Sequence, residues 1–308
     1  MGILLSLQGA IGQGILWGIM AVGVYITFRL LDFADLTVDG SFATGGAVCA
    51  IALTNNINPI VAILMATLAG FAAGLITGIL HTKCKIPAIL AGILTQIGLY
   101  SINLRIMGKS NIPLLQADNI FKDIAEMFNI STSWVVIIVG GVCVAIIIAI
   151  LYWFFGTEMG SSIRATGNNE QMVRSLGVNT DTMKLIGLMI SNGLIAFSGA
   201  IVAQQQGASD VKMGIGAIVI ALASIVIGEV VFGKKGGFAV RLVSIVVGSI
   251  VYRMIVAIVL QMGLSTDDLK LLTALLVAIA LTIPVVLSKR KQVAMYKKLT
   301  GKEMNENA

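Results

Sequence analysis

Apolar runs of about 20 residues, separated by brief polar punctuation, dominate the chain. One of them, from Trp134 to Phe155, has no charge in 22 residues. At about 1.5 Å per residue a helix of that length crosses a hydrocarbon core of about 30 Å. Marking every such run predicts nine helices, at 6–28, 37–54, 59–81, 87–106, 133–155, 183–204, 214–232, 239–260 and 269–287. Two polar stretches interrupt the series. The first, 107–132, mixes Lys109, Asp118, Lys122, Asp123 and Glu126. The second is TEMGSSIRATGNNEQMVRSLGVNTDTMK, 157–184. Its centre reads as a short helix that Asn168 or Asn169 caps and Gly177 ends, with Met172, Val173, Leu176 and Val178 as an apolar stripe among Glu170, Gln171 and Arg174. It is too short and too polar to span a membrane. It either lies at the membrane surface or enters a groove of a partner protein.

Composition agrees with the pattern. The chain is 57% hydrophobic and 12% charged, about half the charge of a soluble domain. The expectation is an all-α, polytopic integral membrane protein, with a transmembrane unit over 1–288 and a basic tail over 289–308. Net charge is +6, but the basic residues punctuate apolar runs and form no aromatic-interleaved surface, so no nucleic acid is expected. They are lopsided instead. Arg29, Lys83, Lys85, Arg164, Arg174, Lys184, Lys234, Lys235, Arg241 and the tail from Lys289 place 15 of the 21 Lys and Arg on one side. Arg105, Lys109, Lys122, Lys212, Arg253 and Lys270 fall on the other. By the positive-inside rule the first side is cytoplasmic, with the N-terminus outside and the C-terminus inside. Gly70, Gly74 and Gly78, and Gly14 and Gly18, recur every four residues. Such faces serve close packing of helices, within the chain or at a subunit interface.

Little in the chain looks catalytic. Cys49, Cys84 and Cys143 have no metal-ligand spacing and are read as unpaired. The opening M-G-I-L-L-S fits an acylation pattern by chance, and no basic region precedes the first apolar run as in a cleaved leader. H-E-x-x-H and G-x-S-x-G are missing, and His81, the single histidine, is read as solvated at a loop edge. GEVVFGKKGG, 228–237, has Gly228, Gly233 and Lys234 in P-loop register, but Lys235 stands where the Mg²⁺-binding hydroxyl belongs, and an apolar span precedes it. It is read as a turn, with Glu229 neutralised by Lys234 or Lys235.

Charges inside spans point to function by default. Asp32, Asp35 and Asp39 are spaced three and four apart, so a continuous helix would set them on one face. In one reading Asp32 pairs with Arg29 while Asp35, Thr37, Asp39 and Ser41 cap a broken helix. In the other the break lines a solute path and an aspartate meets an ammonium group. Thr95, Gln96, Ser101, Asn103, Ser191, Asn192, Ser198 and Ser224 are the other polar groups within spans; Thr95 and Gln96 join the aspartates as candidate pathway residues.

R-A-T-G-N-N-E-Q-M-V-R-S-L-G-V-N-T resembles the cytoplasmic coupling segment of ATP-binding-cassette importer permeases of the branched-chain amino acid and ribose type, a pattern near R-x-x-G-x-N-x-x-x-A-x-x-x-G-I. Arg164, Gly167, Asn169 and Gly177 match, and Val173 replaces the alanine. FRLLDFADLTVDGSFATGGAV, 28–48, resembles the family's helix break, and ALASIVIGEVVFGKKGGFAVRLVSIVVGS its apolar span, turn and next span. DLTVDGSFATGGAV and LAGILTQIGLYSINLRIMGKSNIPL look closest to the branch associated with tryptophan and tyrosine uptake. The resemblance implies a type II importer-like permease fold in the inner membrane of a bacterium. It also implies a permease homodimer among membrane lipid, an external substrate-binding protein, and a separate ATPase subunit that binds the ATP, so the chain itself needs no cofactor. Arg164, Gly167, Asn168, Asn169, Glu170, Met172, Val173, Leu176 and Gly177 would form the ATPase-coupling site. The rival reading is a secondary transporter driven by H⁺ or Na⁺ through the aspartates. It would not need the 157–184 segment, and no clear inverted repeat between the halves is visible in the sequence.

Overall fold

The structure is a computed structural model describing residues 2–115, 117–232 and 236–262, and beyond them residues 271, 273–275, 277–279 and 282. Gly233, Lys234 and Lys235, most of the expected span at 269–287 and the tail from Lys289 lie outside the described residues. Within them the regular structure is helical apart from two three-residue strands. Helix α1, Gly2–Tyr25, continues as a π-helical turn, Ile26–Leu30. Then come α2 (Val38–Thr54), α3 (Pro59–Thr82), α4 (Ala88–Met107), β1 (Asn111–Pro113), α5 (Ile120–Phe128) and α6 (Thr132–Gly156). They are followed by α7 (Glu158–Asn168), α8 (Glu170–Ser175), α9 (Thr180–Gln206), β2 (Ala208–Asp210), α10 (Ala217–Phe232) and α11 (Phe238–Gln261).

Six helices are long and apolar enough to cross a membrane: Ser6–Leu30, α3, α4, α6, α9 and α11. The apolar helices α2 and α10 are shorter. Lipid explains the outward faces. Ile138, Val142, Ile146 and Ile150 stand four apart on α6 and all are exposed, while Trp134, Tyr152 and Trp153 lie exposed at its two ends, where aromatic belts form. Helices α1, α2 and α9 are the interior ones. Backbone-to-backbone seams let them pack: a Cβ on Gly70 or Gly74 would collide with the carbonyl of Asn192 or Leu188 on α9, and one on Gly14 would meet the Ile250 backbone of α11 at 2.6 Å. The glycine rows therefore pack within the chain.

The two ends of the bundle are set by cross-chain contacts. The basic end collects Leu30, the α3–α4 turn, α7, α8 and the start of α9. The opposite end carries α5 and the antiparallel pair β1–β2, in register Asn111↔Asp210 and Ile112↔Ser209. Helix directions follow, and they contain an inverted repeat that the sequence pattern conceals. In the first half α1 runs to the basic end, irregular residues 31–37 turn back, short α2 runs to the opposite end, and α3 returns. In the second half α9 runs to the opposite end, residues 207–216 turn back with β2 among them, short α10 runs to the basic end, and α11 returns. Packing repeats too: α1 lies against α11 as α3 lies against α9, and α2 against α9 as α10 against α1.

Candidate functional site

The polar segment after α6 is two helices, where the sequence pattern suggests one. The Thr157 hydroxyl caps α7, accepting from the Gly160 N–H at 3.3 Å. Asn169 ends α7 and caps α8, its Oδ1 accepting from the Met172 N–H at 3.0 Å. Gly177 follows α8 with φ of 85°, a conformation that favours glycine. Gly167 seats α7 on the end of the first span: a Cβ there would collide with the Leu30 carbonyl. Arg164 donates to the Phe155 carbonyl at 2.8 Å and lies over the Phe238 ring. Asn168 is exposed. On α8, Val173 turns inward, while Met172 (59% exposed) and Leu176 (70%), one turn apart, face outward.

A charged clasp ties α8 to α9. Glu170 accepts from Lys184 at 2.7 Å, from Arg174 at 3.1 Å and from the Thr180 hydroxyl at 3.1 Å. Arg174 also reaches Asp181 at 3.2 Å, and Lys85 of the α3–α4 turn reaches the same carboxylate at 3.4 Å. The Lys184 hydrogen bond holds the Glu170 carboxyl below its ordinary range, with Thr180 and the Arg174 charge adding to it.

The aspartates do not share a face, because residues 31–37 are not helical. Asp32 is exposed at φ of 52° and does not pair with Arg29. Arg29 bridges instead to Glu229 on α10 at 2.7 Å; Lys234 and Lys235, the partners expected for that group, lie outside the described residues. Asp35 is buried. Its Oδ1 accepts from the Thr37 N–H at 2.8 Å and its Oδ2 from the Asn192 amide at 2.8 Å. The Ser41 hydroxyl donates to Asn192 Oδ1 at 2.6 Å. A hydroxyl chain runs on from Thr37 to Thr77 at 2.8 Å and from Thr77 to Thr95 at 3.0 Å, all three buried. Gln96 is half-buried beside Gly40, outside this chain of bonds. Asp39 caps a helix, but not its own: its oxygens accept from the N–H groups of Gly216 at 2.9 Å and Ile218 at 3.0 Å, at the start of α10. His81 is half-buried rather than solvated, with Nδ1 2.9 Å from the Ile86 carbonyl oxygen and the ring edge-on to Phe33.

The structure thus joins Asp35 and Thr95 through Thr37 and Thr77, and leaves Asp32 and Gln96 apart. Thr77, the hub, was missed, because no local signal pairs positions 37, 77 and 95 across three helices. Among the described residues no group of three or more His, Cys, Asp or Glu could hold a metal. What the arrangement offers is mechanical. An exposed apolar pair on a braced short helix sits at one end, and a bonded polar layer lies buried within the bundle.

The family described as "Branched-chain amino acid transport system / permease component" matches residues 6–285. A tyrosine transport system permease protein of Clostridioides difficile is 48% identical over 265 residues, covering 86% of each chain. An uncharacterized protein of Rickettsia prowazekii is 30% identical over 278 residues, 89% of this chain and 95% of its own. An autoinducer 2 import system permease protein of Yersinia pseudotuberculosis is 31% identical over 198 residues, 63% of this chain and 54% of its own. No solved structure matches the chain.

Proposed function

The chain belongs to the family of branched-chain amino acid transport system permease components, and on that premise we propose that it imports an amino acid, an aromatic one first, by alternating access driven through α8. The family makes it a multi-pass membrane permease of an ATP-binding-cassette transport system, working with an ATPase and a solute-binding protein. The name of the Clostridioides difficile relative supports the aromatic substrate. In our reading the basic end is cytoplasmic, with the N-terminus outside, and two copies of the chain form the pathway between them.

One observation carries the coupling role: Met172 and Leu176 project from a helix braced to α9 by Glu170 and abutting α7, which Gly167 seats on Leu30. An apolar pair on a rigid short helix suits a groove in the ATPase. Closure of two ATPases on nucleotide then has to favour one membrane conformation over the other. Displacement of α7 and α8 would reach the break after α1 through Gly167, and α9 through the clasp.

The test is purification of the tagged chain from its native membrane in mild detergent, with mass spectrometry of its companions. An ATPase subunit is expected with the parent chain and is lost from the Met172→Asp, Leu176→Asp double variant, which still folds because both side chains are exposed. An ATPase retained by the variant would move the docking site elsewhere. A parent chain that purifies alone in several detergents would favour an autonomous secondary transporter.

A further inference from the structure

Arg253 sits where neither the charge pattern nor the coupling role accounts for it. The pattern assigns it to the side opposite the basic end, but the structure places it inside α11, with Gln261 as the last residue of that helix. At 1.5 Å per residue it lies about 12 Å from the nearer end of the helix. A cation at that depth is costly unless it snorkels to the interface or meets a carboxylate. Arg253 does neither. Its guanidinium stacks on Trp17, 4.0 Å from the ring centroid, and Trp17 packs in turn on Phe42. Its Nη1 makes one long contact, 3.5 Å, to Gln13 Oε1. Its Nε is buried with no hydrogen-bond partner. Among the described residues no carboxylate comes within ion-pair distance of it.

Beside this group lies a cavity of about 350 Å³ between α10, α11 and residues 273–274. Val219, Ile220 and Val256 make its walls apolar, and the Tyr252 hydroxyl in the wall is bonded to Thr273 Oγ1 at 3.1 Å. Gly216, whose N–H Asp39 accepts, also lines it. An apolar chamber with one under-bonded cation is the complement of a small carboxylic acid with an apolar body.

We propose that this cavity is a solute site in the permease, in which Arg253 takes the carboxylate of the transported amino acid and Val219, Ile220 and Val256 take its side chain. The proposal rests on the importer reading with an amino acid as cargo. A phospholipid phosphate shares the anionic chemistry, but headgroups lie at the interface, and Arg253 turns toward α1 rather than toward that level. Because the Gly216 N–H is held by Asp39, a bound solute would touch the point where the first half of the repeat caps the turn of the second.

The experiment uses the full chain in nanodiscs, with Trp134→Phe and Trp153→Phe leaving Trp17 as the reporter. Three probes are titrated: L-phenylalanine, 3-phenylpropionate, which lacks the ammonium, and phenethylamine, which lacks the carboxylate. The first two are expected to change Trp17 emission saturably and the third not. Arg253→Gln should weaken both acids at least tenfold, with Arg253→Lys in between. Val219→Phe, which fills the cavity and leaves the cation in place, should weaken them as well, and it covers the case in which Arg253→Gln does not fold. Equal responses to phenethylamine and 3-phenylpropionate, no saturable response to any probe, or an unchanged response in both cavity variants would overturn the site. So would an Arg253-dependent shift caused by phosphatidylglycerol nanodiscs alone, with the acids then excluded, which would assign the cation to lipid. Binding needs no ATPase, so failure of the importer reading leaves this readout standing. Conversely, ATP-driven uptake by Arg253→Gln at unchanged KM would remove the site and spare the importer.

Discussion

The two turn-back segments, 31–37 and 207–216, perform the same task in opposite halves of the inverted repeat, and they are held in opposite ways. Each contains an aspartate whose Oδ1 accepts the N–H two residues on: Asp35 from Thr37 at 2.8 Å and Asp210 from Lys212 at 2.7 Å. Each leads into a short apolar helix. Asp35, however, is buried and bonded to Asn192 of the other half, whereas Asp210 lies at the end opposite the basic one, bonded to Asn111 of the strand partner. The starts of α2 and α10 meet where Gly214 packs on the Asp39 carbonyl. There the first half supplies the carboxylate that caps the second. A repeat built from one pattern therefore has a donor half and a recipient half. Asp35, Thr37 and Thr77 of the polar layer that could transmit movement belong to the half that supplies the cap.

The meeting point is where the comparison breaks most completely. A Cβ on Gly214 would collide with the Asp39 backbone. Gly214→Val is expected to cost on the order of 4 kcal/mol or more, seen as loss of folded chain in size-exclusion chromatography. Next is the donor-side bond. Asn192→Leu strands the Asp35 carboxyl in the interior and should destabilise by about 3 kcal/mol. Adding Asp35→Leu should recover part of that in thermal unfolding; a double variant worse than the single would show that Asn192 acts through other contacts. Asp39→Ala removes the cap from α10 and should cost about 2 kcal/mol. Faster hydrogen exchange is expected at the start of α10, in the half that receives the cap. Exchange confined to α2 would reverse the donor assignment.

The smallest effect concerns how each half meets the surface helices, with Gly167 on the end of α1 and Glu170 on the start of α9. The Glu170 carboxyl titrates below its unfolded value. Its contribution is therefore present above the unfolded pKa, about 4.3, and is lost as pH falls through the lower folded value. Hydrogen exchange over 170–176 should accelerate below about pH 4 in the parent chain. In Glu170→Gln it should be faster at pH 7 and nearly flat with pH, while the Gly167 contact responds in neither.

Much of this protein is legible without a structure. Apolar runs set eight of the nine expected helices within a few residues of where they lie, because a chain in lipid must satisfy its backbone within each segment. The caps at Asn169 and Gly177 could be read as well, because capping is local chemistry. The aspartates could not be read the same way. Their spacing of three and four holds for a continuous helix, and this helix stops at Leu30.

By itself, then, the sequence determined the class, the spans, the lopsided charge and the short surface helix, all properties carried by neighbours along the chain. Tertiary structure alone decided that Asp39 caps α10, that Thr77 links Thr37 to Thr95, that Arg29 meets Glu229, and that Arg253 stacks on Trp17 beside a cavity. Each of these pairs residues from different helices. In so uniformly apolar a chain, one polar position in a span looks much like another until the packing of glycine seams fixes which helices touch and at what depth.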